Sequence, residues 1–441
     1  MTNIELTNLK NQITHLVYKY GEIKLAKSIF VEGKSLIPAT QKCLSSDEFV
    51  FMTKAILDGW LTAGKFNKLF ESRLCSFVKT KHCLTVNSGS SANLVAFSTL
   101  TSPQLEERAI KKGDEVITVA AGFPTTINPI IQNGAIPVFV DIDPDTLNIN
   151  IEDLEKAVNR KTKCIFLAHT LGNPFNVNVI RKLCSSHGLW LIEDCCDALG
   201  SKVDNKMVGT FGDLSTFSFY PAHHITTGEG GAIMTDNPLL HKIAMSIRDW
   251  GRDCYCPPGV DNTCGKRFNW TAAQIGGSLP NFYDHKYIYS NMGYNLKFTD
   301  IQAACGLSQI SKLESFVTKR KLNFNLLEEG LSDLNNFFTV TKSLPESEPS
   351  WFGFPLTLDP KVPRYDLISY LEKNKIQTRT LFCGNVTRQP YMRHHEFKVF
   401  QSLANTDKVM NNTFWIGCHP NIDDRQIEYI VRKFKHFFQN L

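Results

Sequence analysis

The chain has no long uninterrupted apolar run, and this excludes several classes of protein. No stretch reaches the roughly 20 apolar residues that a membrane-spanning helix needs. The residues Met1–Leu6 do not form a basic segment followed by an apolar core, so no secretory signal peptide is indicated. We therefore expect a cytoplasmic protein that does not associate with a membrane.

A strong excess of charge of one sign is also missing. Lys and Arg together number 48 against 43 for Asp and Glu, which gives a formal net charge of +5 spread along the chain. So small an excess does not favour nucleic acid as a partner. The hydrophobic content of 42% and the charged content of 21% are ordinary for a globular enzyme. Internal repeats and low-complexity tracts are absent as well.

Cysteine is plentiful by comparison, with 13 residues. In a reducing compartment a disulfide framework is not expected, and most of these thiols are interpreted as small buried hydrophobic side chains. That interpretation applies to Cys43, Cys75, Cys83, Cys164, Cys184, Cys195, Cys305, Cys383 and Cys418. It fits poorly for Cys254, Cys256 and Cys264, because they lie in a Pro-, Gly- and Asp-rich segment typical of a loop.

The middle of the chain alternates between apolar strands and helices. A length of 441 residues favours more than one domain. Predicted strands are Val116–Ala120, Ile136–Asp141, Cys164–Ala168 and Leu189–Glu193, and predicted helices are Thr125–Asn133, Ile151–Val158 and Val179–His187. Continuously apolar strands separated by helices predict an α/β fold with a mostly parallel sheet, whose sites lie at the carboxyl ends of the strands.

The two ends of the chain show other patterns. Apolar positions Leu9, Ile13, Leu16 and Val17 predict an N-terminal amphipathic helix. After about Thr299, helices Ile301–Leu313, Lys319–Leu331, Tyr365–Asn374 and Asp423–Phe438 and strands Phe337–Thr341 and Trp351–Leu358 predict a smaller α+β unit. We therefore expect a helical extension over residues 1–40, a large α/β domain over 41–298 and a small domain over 299–441.

Two motifs in the first half of the α/β region could bind a planar phosphorylated ligand. The segment Asn87–Asn93 precedes an apolar helix, and its small residues, Gly89 and Ser90 in particular, would let backbone amides approach a phosphate. An ordinary helix cap is the alternative. Phe123 follows a strand and could stack on a flat heteroaromatic ring, or could be a core side chain.

The segment Ser218–Gly231 is the most informative part of the chain. With Asp194 at a predicted strand end, its order of groups is that of vitamin B6 enzymes: a carboxylate for the pyridine nitrogen, a hydroxyl at Ser218 for the phosphate, then a cation five residues on. That cation is normally the lysine that binds the cofactor covalently, but this chain has His223. An imidazole cannot form that bond, although it can still transfer protons. We assign His223 as the base and the adjacent His224 as a supporting residue; for Asp194, a cap of the next segment is the alternative.

On these motifs the chain resembles the sugar-nucleotide aminotransferase family of fold type I PLP-dependent transferases. The matching segments are Gly89-Ser90, Glu193–Ala198, Ser218–His223 and Gly228–Gly231, and the resemblance spans roughly residues 40–440. It implies a large cofactor domain and a small C-terminal domain. It also implies a homodimer in which the segment Gly293–Gln302, with Asn295, contacts the partner's cofactor phosphate. Asp197 stands where the family usually has Gln, and the resemblance places it, with His224, among the residues that bind the cofactor.

Histidine in place of lysine is the mark of the deoxysugar 3-dehydrases in this family. The resemblance implies that pyridoxamine 5′-phosphate is the cofactor and that a C3 hydroxyl is removed from a 4-keto-6-deoxyhexose nucleotide. Cys196, Cys254, Cys256 and Cys264 have 57, 1 and 7 residues between successive members. This spacing is similar to the iron–sulfur ligand pattern of the members that act on CDP-4-keto-6-deoxyglucose, so the resemblance implies a [2Fe–2S] cluster.

The resemblance also implies an electron donor. It would be a separate NADH-dependent flavin iron–sulfur reductase, because this chain has no Gly-x-Gly-x-x-Gly dinucleotide motif. The alternatives are a GDP-linked 3-dehydratase without a cluster, an ordinary sugar aminotransferase, and an inactive binding protein with a B6 fold.

Overall fold

The structure, a computed structural model, describes residues 3–26, 29–263, 265–271 and 278–441. The helices in these ranges are α1 Asn3–Lys24, α2 Ser46–Asp58, α3 Lys65–Val78, α4 Gly89–Thr99, α5 Pro124–Gln132, α6 Ile151–Ala157, α7 Val177–His187, α8 Pro238–Arg248, α9 Asp300–Ile310, α10 Leu313–Gly330, α11 Arg364–Lys373, α12 Ala404–Asn412 and α13 Asp424–Gln439. The strands are β1 His82–Val86, β2 Glu115–Val119, β3 Ile136–Val140, β4 Thr162–Ala168, β5 Trp190–Asp194, β6 Lys202–Val203, β7 Lys206–Met207, β8 Leu214–Ser218, β9 Gly231–Thr235, β10 Phe338–Val340, β11 Ser347–Glu348, β12 Phe354–Leu358, β13 Thr378–Thr380, β14 Lys398–Val399 and β15 Thr413–Ile416.

The large sheet has eight strands in the order β1-β9-β8-β5-β4-β2-β3-β14. From β8 to β14 neighbouring strands run parallel, and β9 is antiparallel to both β1 and β8. The predicted mostly parallel α/β sheet, with the fold type I class that it implied, is therefore confirmed.

Both faces of this sheet are buried, which explains why its strands are continuously apolar. In β4, Ile165 and Leu167 contribute to one core, whereas Cys164 and Phe166 contribute to another on the opposite face. Successive side chains of a strand point to opposite faces, so a strand covered on both sides needs an apolar residue at every position.

The topology brings three chain segments to one edge of the sheet. Strand β5 ends at Asp194 and β8 at Ser218, and β1 leads through Asn87 and Ser88 into α4. Strand β9 runs the opposite way and begins at this edge with Gly231. The carboxyl ends of parallel strands are where α/β folds place their sites.

The C-terminal part builds a second core around the antiparallel sheet β10-β12-β15-β13, with apolar side chains from α10, α11 and α13. Residues from this part also reach the large sheet, because β14 pairs with β3. Helix α9 packs on α2 and α3. The predicted domain boundaries after residues 40 and 298 stay a prediction.

Two predicted elements differ from the structure for identifiable reasons. The strand expected from Trp351 begins only at Phe354, because the carbonyls of Trp351 and Phe352 accept hydrogen bonds from Arg320 Nη1 at 3.1 Å each instead of pairing with a strand. In α1, Ile13 and Val17 are half-buried, but Leu9 is 50% and Leu16 65% exposed, so only part of the expected apolar face is covered.

A search of the described residues finds no helix with the length and apolar character that crossing a bilayer requires.

The Glu193 side chain forms hydrogen bonds with the turn at residues 209–212 and holds this turn against the end of β5. Its fully buried carboxylate accepts hydrogen bonds from the amides of Gly209, Phe211 and Gly212 at 2.9, 2.8 and 2.5 Å. His169 Nε2 adds a contact of 3.1 Å. Asp194 is the next residue, so this carboxylate also fixes the strand end at which the site begins.

We expect Glu193→Gln to lower the free energy of unfolding by at least about 3 kcal/mol, because a neutral amide cannot satisfy the donors that surround a buried carboxylate. Urea denaturation measures the loss. The exposed control Glu314→Gln should change the free energy of unfolding by no more than about 0.5 kcal/mol. Equal stability of the two variants would contradict this role of Glu193.

Candidate active site

The start of α4 offers backbone amides to an anion. Ser88 is the N-cap, and its hydroxyl accepts a hydrogen bond from the amide of Ser91 at 3.0 Å. The amides of Gly89 and Ser90 come first in the helix and therefore have no acceptor within it. Such amides, at the positive end of the helix dipole, favour a phosphate.

Five residues pack so closely around this helix start that two of them must be glycine; we call Ser88, Gly89, Cys196, Ser218 and Gly231 the strand-end cradle. A Cβ on Gly89 would lie 2.7 Å from Ser218 Oγ and 3.2 Å from Cys196 Sγ. A Cβ on Gly231 would lie 2.4 Å from the carbonyl oxygen of Ser88. The glycines let the start of α4 approach Ser218 and the start of β9, and free helix-terminal amides beside a serine hydroxyl are groups that suit a phosphate, so the residues fit a phosphorylated cofactor.

Asp194 lies next to the cradle and is held by three donors. Its Oδ2 accepts from Asn93 Nδ2 at 2.8 Å and from Thr126 Oγ1 at 2.7 Å, and its Oδ1 accepts from the amide of Cys196 at 3.1 Å. The Asn93 amide has one orientation, because its Oδ1 accepts from Thr216 Oγ1 at 2.6 Å. With Oδ2 occupied twice, Oδ1 keeps acceptor capacity for a further donor such as a pyridinium N–H.

Phe123 presents an open aromatic ring at the same edge. It is the N-cap residue of α5 and is 54% exposed, with an edge-to-face contact to Phe382 at a centroid distance of 6.2 Å. A core position, which was the alternative from the sequence, does not agree with this exposure. The ring remains a candidate for stacking on a cofactor.

His223 pairs with Asp197, three residues beyond Asp194. The distance from His223 Nδ1 to Asp197 Oδ1 is 3.3 Å, and both side chains are largely buried. Phe352 packs against the imidazole at a centroid distance of 5.2 Å. Burial raises the pKa of Asp197, and the contact with His223 lowers it in part. A carboxylate behind one imidazole nitrogen orients the ring and leaves Nε2 for proton transfer.

His224 points elsewhere. Its Nε2 donates to the carbonyl oxygen of Ser350 at 2.7 Å, and the side chain is buried against the C-terminal part. Burial and the nearby Arg320 guanidinium hold the pKa of His224 well below its usual value, so the ring is neutral. Its described hydrogen bond goes to Ser350 and not to a residue of the cradle; binding of the cofactor by His224 stays a prediction.

Asn295 is exposed. Its Oδ1 accepts from Lys297 Nζ at 3.3 Å, and its backbone forms a bridge with Asp249. The next residue, Leu296, accepts a hydrogen bond from the amide of Asn87 at 3.0 Å. The contact expected between Asn295 and the cofactor phosphate of a second subunit involves a second chain and stays a prediction.

The predicted cysteine ligands lie in two segments of the chain. Cys196 belongs to the cradle, and burial raises the pKa of its thiol well above the usual value. Cys254 and Cys256 are close neighbours in a loop, where Thr263 Oγ1 donates to Cys256 Sγ at 3.1 Å. Cys264 lies outside the described residues. The cluster implied by the cysteine spacing stays a prediction.

A second group of possible metal ligands, His169, Glu193 and Cys195, stabilises the fold through hydrogen bonds. Within the described ranges, the ligand atoms of His169, Glu193 and Cys195 lie within 4.8 Å of one another. His169 Nδ1 accepts from the amide of Phe175 at 3.3 Å, so Nε2 carries the proton and donates to Glu193. Burial also raises the pKa of the Cys195 thiol, so these groups are neutral or already hydrogen-bonded.

A cavity in the described part of the chain lies away from the cradle residues. It has a volume of about 770 Å³ and lies between α3, β1, α8 and the segment Pro257–Val260. Its buried charged groups already have partners: Asp300 accepts from the amides of Gly64 and Asn67, and Arg248 pairs with Asp249. The chemistry of Asp194, Ser218 and His223 outweighs cavity size as a guide to the site.

Sequence reasoning missed several residues of the site. Asn93 and Thr126 donate to Asp194, and Thr216 donates to Asn93. Phe352 packs against His223 from a part of the chain more than 100 residues away. Asn93 and Thr126 were visible as polar residues inside the two phosphate- and ring-binding motifs. Thr216 and Phe352 carried no signal, because ordinary strand and core residues have the same character.

The comparison with family models now decides the relationship. The model of the DegT/DnrJ/EryC1/StrS aminotransferase family matches residues 42–435. The chain belongs to this family.

Two curated relatives match nearly the whole chain. Identity to the lipopolysaccharide biosynthesis protein RfbH of Salmonella typhimurium is 54% over 433 residues, which is 98% of both chains. Identity to the dTDP-4-dehydro-2,6-dideoxy-D-glucose 3-dehydratase of Saccharopolyspora spinosa is 48%, over 92% of this chain and 88% of the relative.

A solved structure supports the same relationship. The Escherichia coli GDP-4-keto-6-deoxy-D-mannose-3-dehydratase with bound hydrated PLP has a TM-score of 0.81 and 30% identity, over 90% of this chain and 98% of that one. Its fold agrees with the sheet topology described above.

We expect Gly231→Ala to weaken pyridoxamine phosphate binding by at least about tenfold, because its Cβ would meet the Ser88 carbonyl at 2.4 Å and displace the helix start. Equilibrium dialysis measures the affinity. Gly122→Ala is the matched control, since its Cβ would have no atom nearer than 4.0 Å. Unchanged affinity in Gly231→Ala would contradict the assignment of the cradle to the phosphate.

Proposed function

We propose that the chain is a pyridoxamine 5′-phosphate-dependent sugar-nucleotide 3-dehydrase, which removes the C3 hydroxyl of a 4-keto-6-deoxyhexose. The observation that carries this proposal is the His223–Asp197 pair at the position where the family has its lysine. A lysine would hold the cofactor covalently and support amino transfer, whereas a buried imidazole backed by a carboxylate can only transfer protons.

The arrangement of the strand ends supports the assignment of residues to the cofactor. Gly89, Ser90 and Ser218 would bind the phosphate, Asp194 the pyridine nitrogen, and Phe123 one face of the ring. Bound pyridoxamine phosphate would supply the amine that condenses with the sugar ketone and a protonated ring that takes up electron density. Asp194, fixed by Asn93 and Thr126, would keep that ring protonated.

His223 would carry the proton transfers. Its Nε2 would accept a proton at the cofactor and return it to the departing C3 hydroxyl. Asp197, 3.3 Å from Nδ1, would hold the ring in one orientation and stabilise the imidazolium that forms between these two events. Phe352 restricts the ring from the other side and reduces access of water.

The sugar nucleotide and the source of electrons complete the proposal. We assign CDP-4-keto-6-deoxy-D-glucose as substrate, a [2Fe–2S] cluster on the cysteine set, and an NADH-dependent flavin iron–sulfur reductase as donor, because of the cysteine spacing. The name of the RfbH relative supports a role in lipopolysaccharide or O-antigen synthesis. The second relative is named for a dTDP sugar. A cytoplasmic location and a homodimer also belong to this proposal.

The GDP-linked 3-dehydratase is the second candidate, because the solved structural neighbour carries that name. In both candidates a histidine would transfer the protons. Anaerobic purification distinguishes them: iron bound to the wild-type protein supports the cluster-dependent enzyme, and turnover sustained by glutamate without iron supports the GDP-linked one.

We expect the cofactor to be bound without a covalent link, because the chain offers an imidazole where a lysine would stand. Borohydride treatment followed by denaturation should leave the mass of the wild-type chain unchanged. His223→Lys provides the matched comparison, since it restores the amine. A cofactor mass added to the wild-type chain would refute the absence of a covalent link.

We expect Asp197→Asn to lower kcat by at least about tenfold while the affinity for pyridoxamine phosphate stays within about threefold, because the isosteric amide cannot stabilise a charged imidazole. Steady-state kinetics and equilibrium dialysis give the two values. The surface variant Asp333→Asn is the control. A loss of cofactor affinity with unchanged kcat would place Asp197 in cofactor binding instead.

A further inference from the structure

Arg320 belongs to α10 and is fully buried beside His223. Its side chain is 1% exposed. Its Nη1 donates to the carbonyl oxygens of Trp351 and Phe352 at 3.1 Å each, and its Nη2 lies 3.5 Å from the carbonyl oxygen of His223. One guanidinium therefore joins the backbone of the proposed base to the backbone of a C-terminal segment.

The partners of this guanidinium are unusual for a buried charge. Arginine is seldom fully buried unless a carboxylate pairs with it, because a charge that leaves water loses its hydration. The Nη atoms of Arg320 have backbone carbonyls as acceptors, and its Nε has no hydrogen-bond partner among the described residues. An apolar side chain could fill the same space without this cost, so the planar set of donors is what distinguishes arginine at this position.

The segment Ser350–Phe352, which Arg320 holds, contacts the large sheet next to the active site. At its start, the amide donates to Ser201 Oγ at 2.8 Å and the carbonyl accepts from His224 Nε2 at 2.7 Å. At its end, the amide of Phe352 donates to the carbonyl of Leu171 at 2.8 Å. The segment is fixed at both ends, and its aromatic ring packs against the imidazole of the proposed base.

Two other imidazoles near Arg320 are neutral. Burial and the Arg320 guanidinium hold the pKa of His224 well below its usual value and lower the pKa of His419 to about 3. Each ring has a backbone carbonyl as the partner of its Nε2. His223 differs from both, because its Nδ1 faces the carboxylate of Asp197.

We infer that Arg320 is a positioning residue for the proposed base: it fixes the His223 carbonyl and the Phe352 backbone relative to each other, so that the imidazole stays between Asp197 and the Phe352 ring. The inference rests on the proposed function, in which His223 transfers the protons. A displacement of about 1 Å can slow a reaction by about a hundredfold, because proton transfer needs a short contact between donor and acceptor.

Three variants separate this role from general support of the fold. Arg320→Met removes the donors and keeps most of the volume, whereas Arg320→Lys keeps the charge but not the planar fork. Arg364→Met is the matched control, because Arg364 Nη1 also donates to two backbone carbonyls, those of Met410 and Thr413, at 2.8 and 3.1 Å. All measurements are made well below the unfolding temperature of each variant.

The first measurement uses the protein without cofactor or substrate. Diethylpyrocarbonate modifies neutral imidazoles, and tandem mass spectrometry assigns the label to His223 or His224. We expect His223 to react at least about threefold faster in Arg320→Met, because release of the Phe352 backbone exposes the imidazole to solvent. His224 in this variant, and both histidines in Arg364→Met, should react at the wild-type rate. An unchanged rate at His223 would overturn the inference, and so would an equal rise at both histidines, which indicates a general opening of the fold.

The second measurement is exchange of a C4′ hydrogen of pyridoxamine phosphate with deuterated water in the presence of the keto-sugar nucleotide. We expect exchange at least about tenfold slower in Arg320→Met, an intermediate rate in Arg320→Lys, and affinity for pyridoxamine phosphate within about threefold of wild type in both. Arg364→Met should exchange at the wild-type rate.

The outcomes distinguish the inference from the proposed function. Wild-type exchange in both Arg320 variants would overturn the positioning role alone. A wild-type protein without exchange would overturn the proposed function, and the labelling of His223 would still decide whether Arg320 positions this side chain. If Arg320→Met does not fold, Arg320→Lys is held to the same criteria: slower exchange and faster labelling of His223 than in wild type support the inference, and wild-type values overturn it.

Discussion

The close approach of Gly89 to Ser218 is the constraint on which the site depends. Without a side chain at residue 89, the end of β8 can touch the start of α4, and the amides of the helix and the serine hydroxyl converge on one point. Gly231 allows the same approach from β9. Because these segments belong to neighbouring strands of one sheet, the proposed phosphate site lies at the carboxyl edge of that sheet.

Asp194 and His223 take their positions from that framework. Glu193 holds the end of β5 by accepting hydrogen bonds from three backbone amides. Asp194, the next residue, accepts hydrogen bonds from the side chains of Asn93 and Thr126. The turn after β5 then brings Asp197 to His223. In the proposed function, one strand end thus supplies the partner of the pyridine ring and the partner of the base. The replacement of lysine by histidine is supported by its surroundings, since Asp197 and Phe352 both contact the ring.

Much of the large domain could be predicted from the sequence, because a parallel sheet buried on both faces requires apolar runs such as Cys164–Ala168 and leaves polar residues at the strand ends. The motif residues Gly89, Asp194 and Ser218 were recognisable because they stand at or just after the ends of such strands. The partners Thr216 and Phe352 were not, since only the tertiary fold gives them a role.

The central claim is that an imidazole performs the proton transfer at the position of the missing lysine. The direct measurement is exchange of a C4′ hydrogen of pyridoxamine phosphate with deuterated water, in the presence of CDP-4-keto-6-deoxyglucose, followed by NMR or mass spectrometry of the released cofactor. We predict stereospecific exchange in the wild-type protein and its loss in His223→Asn, with the cofactor still bound. Exchange that persists in this variant would contradict the account and would move the base to another residue.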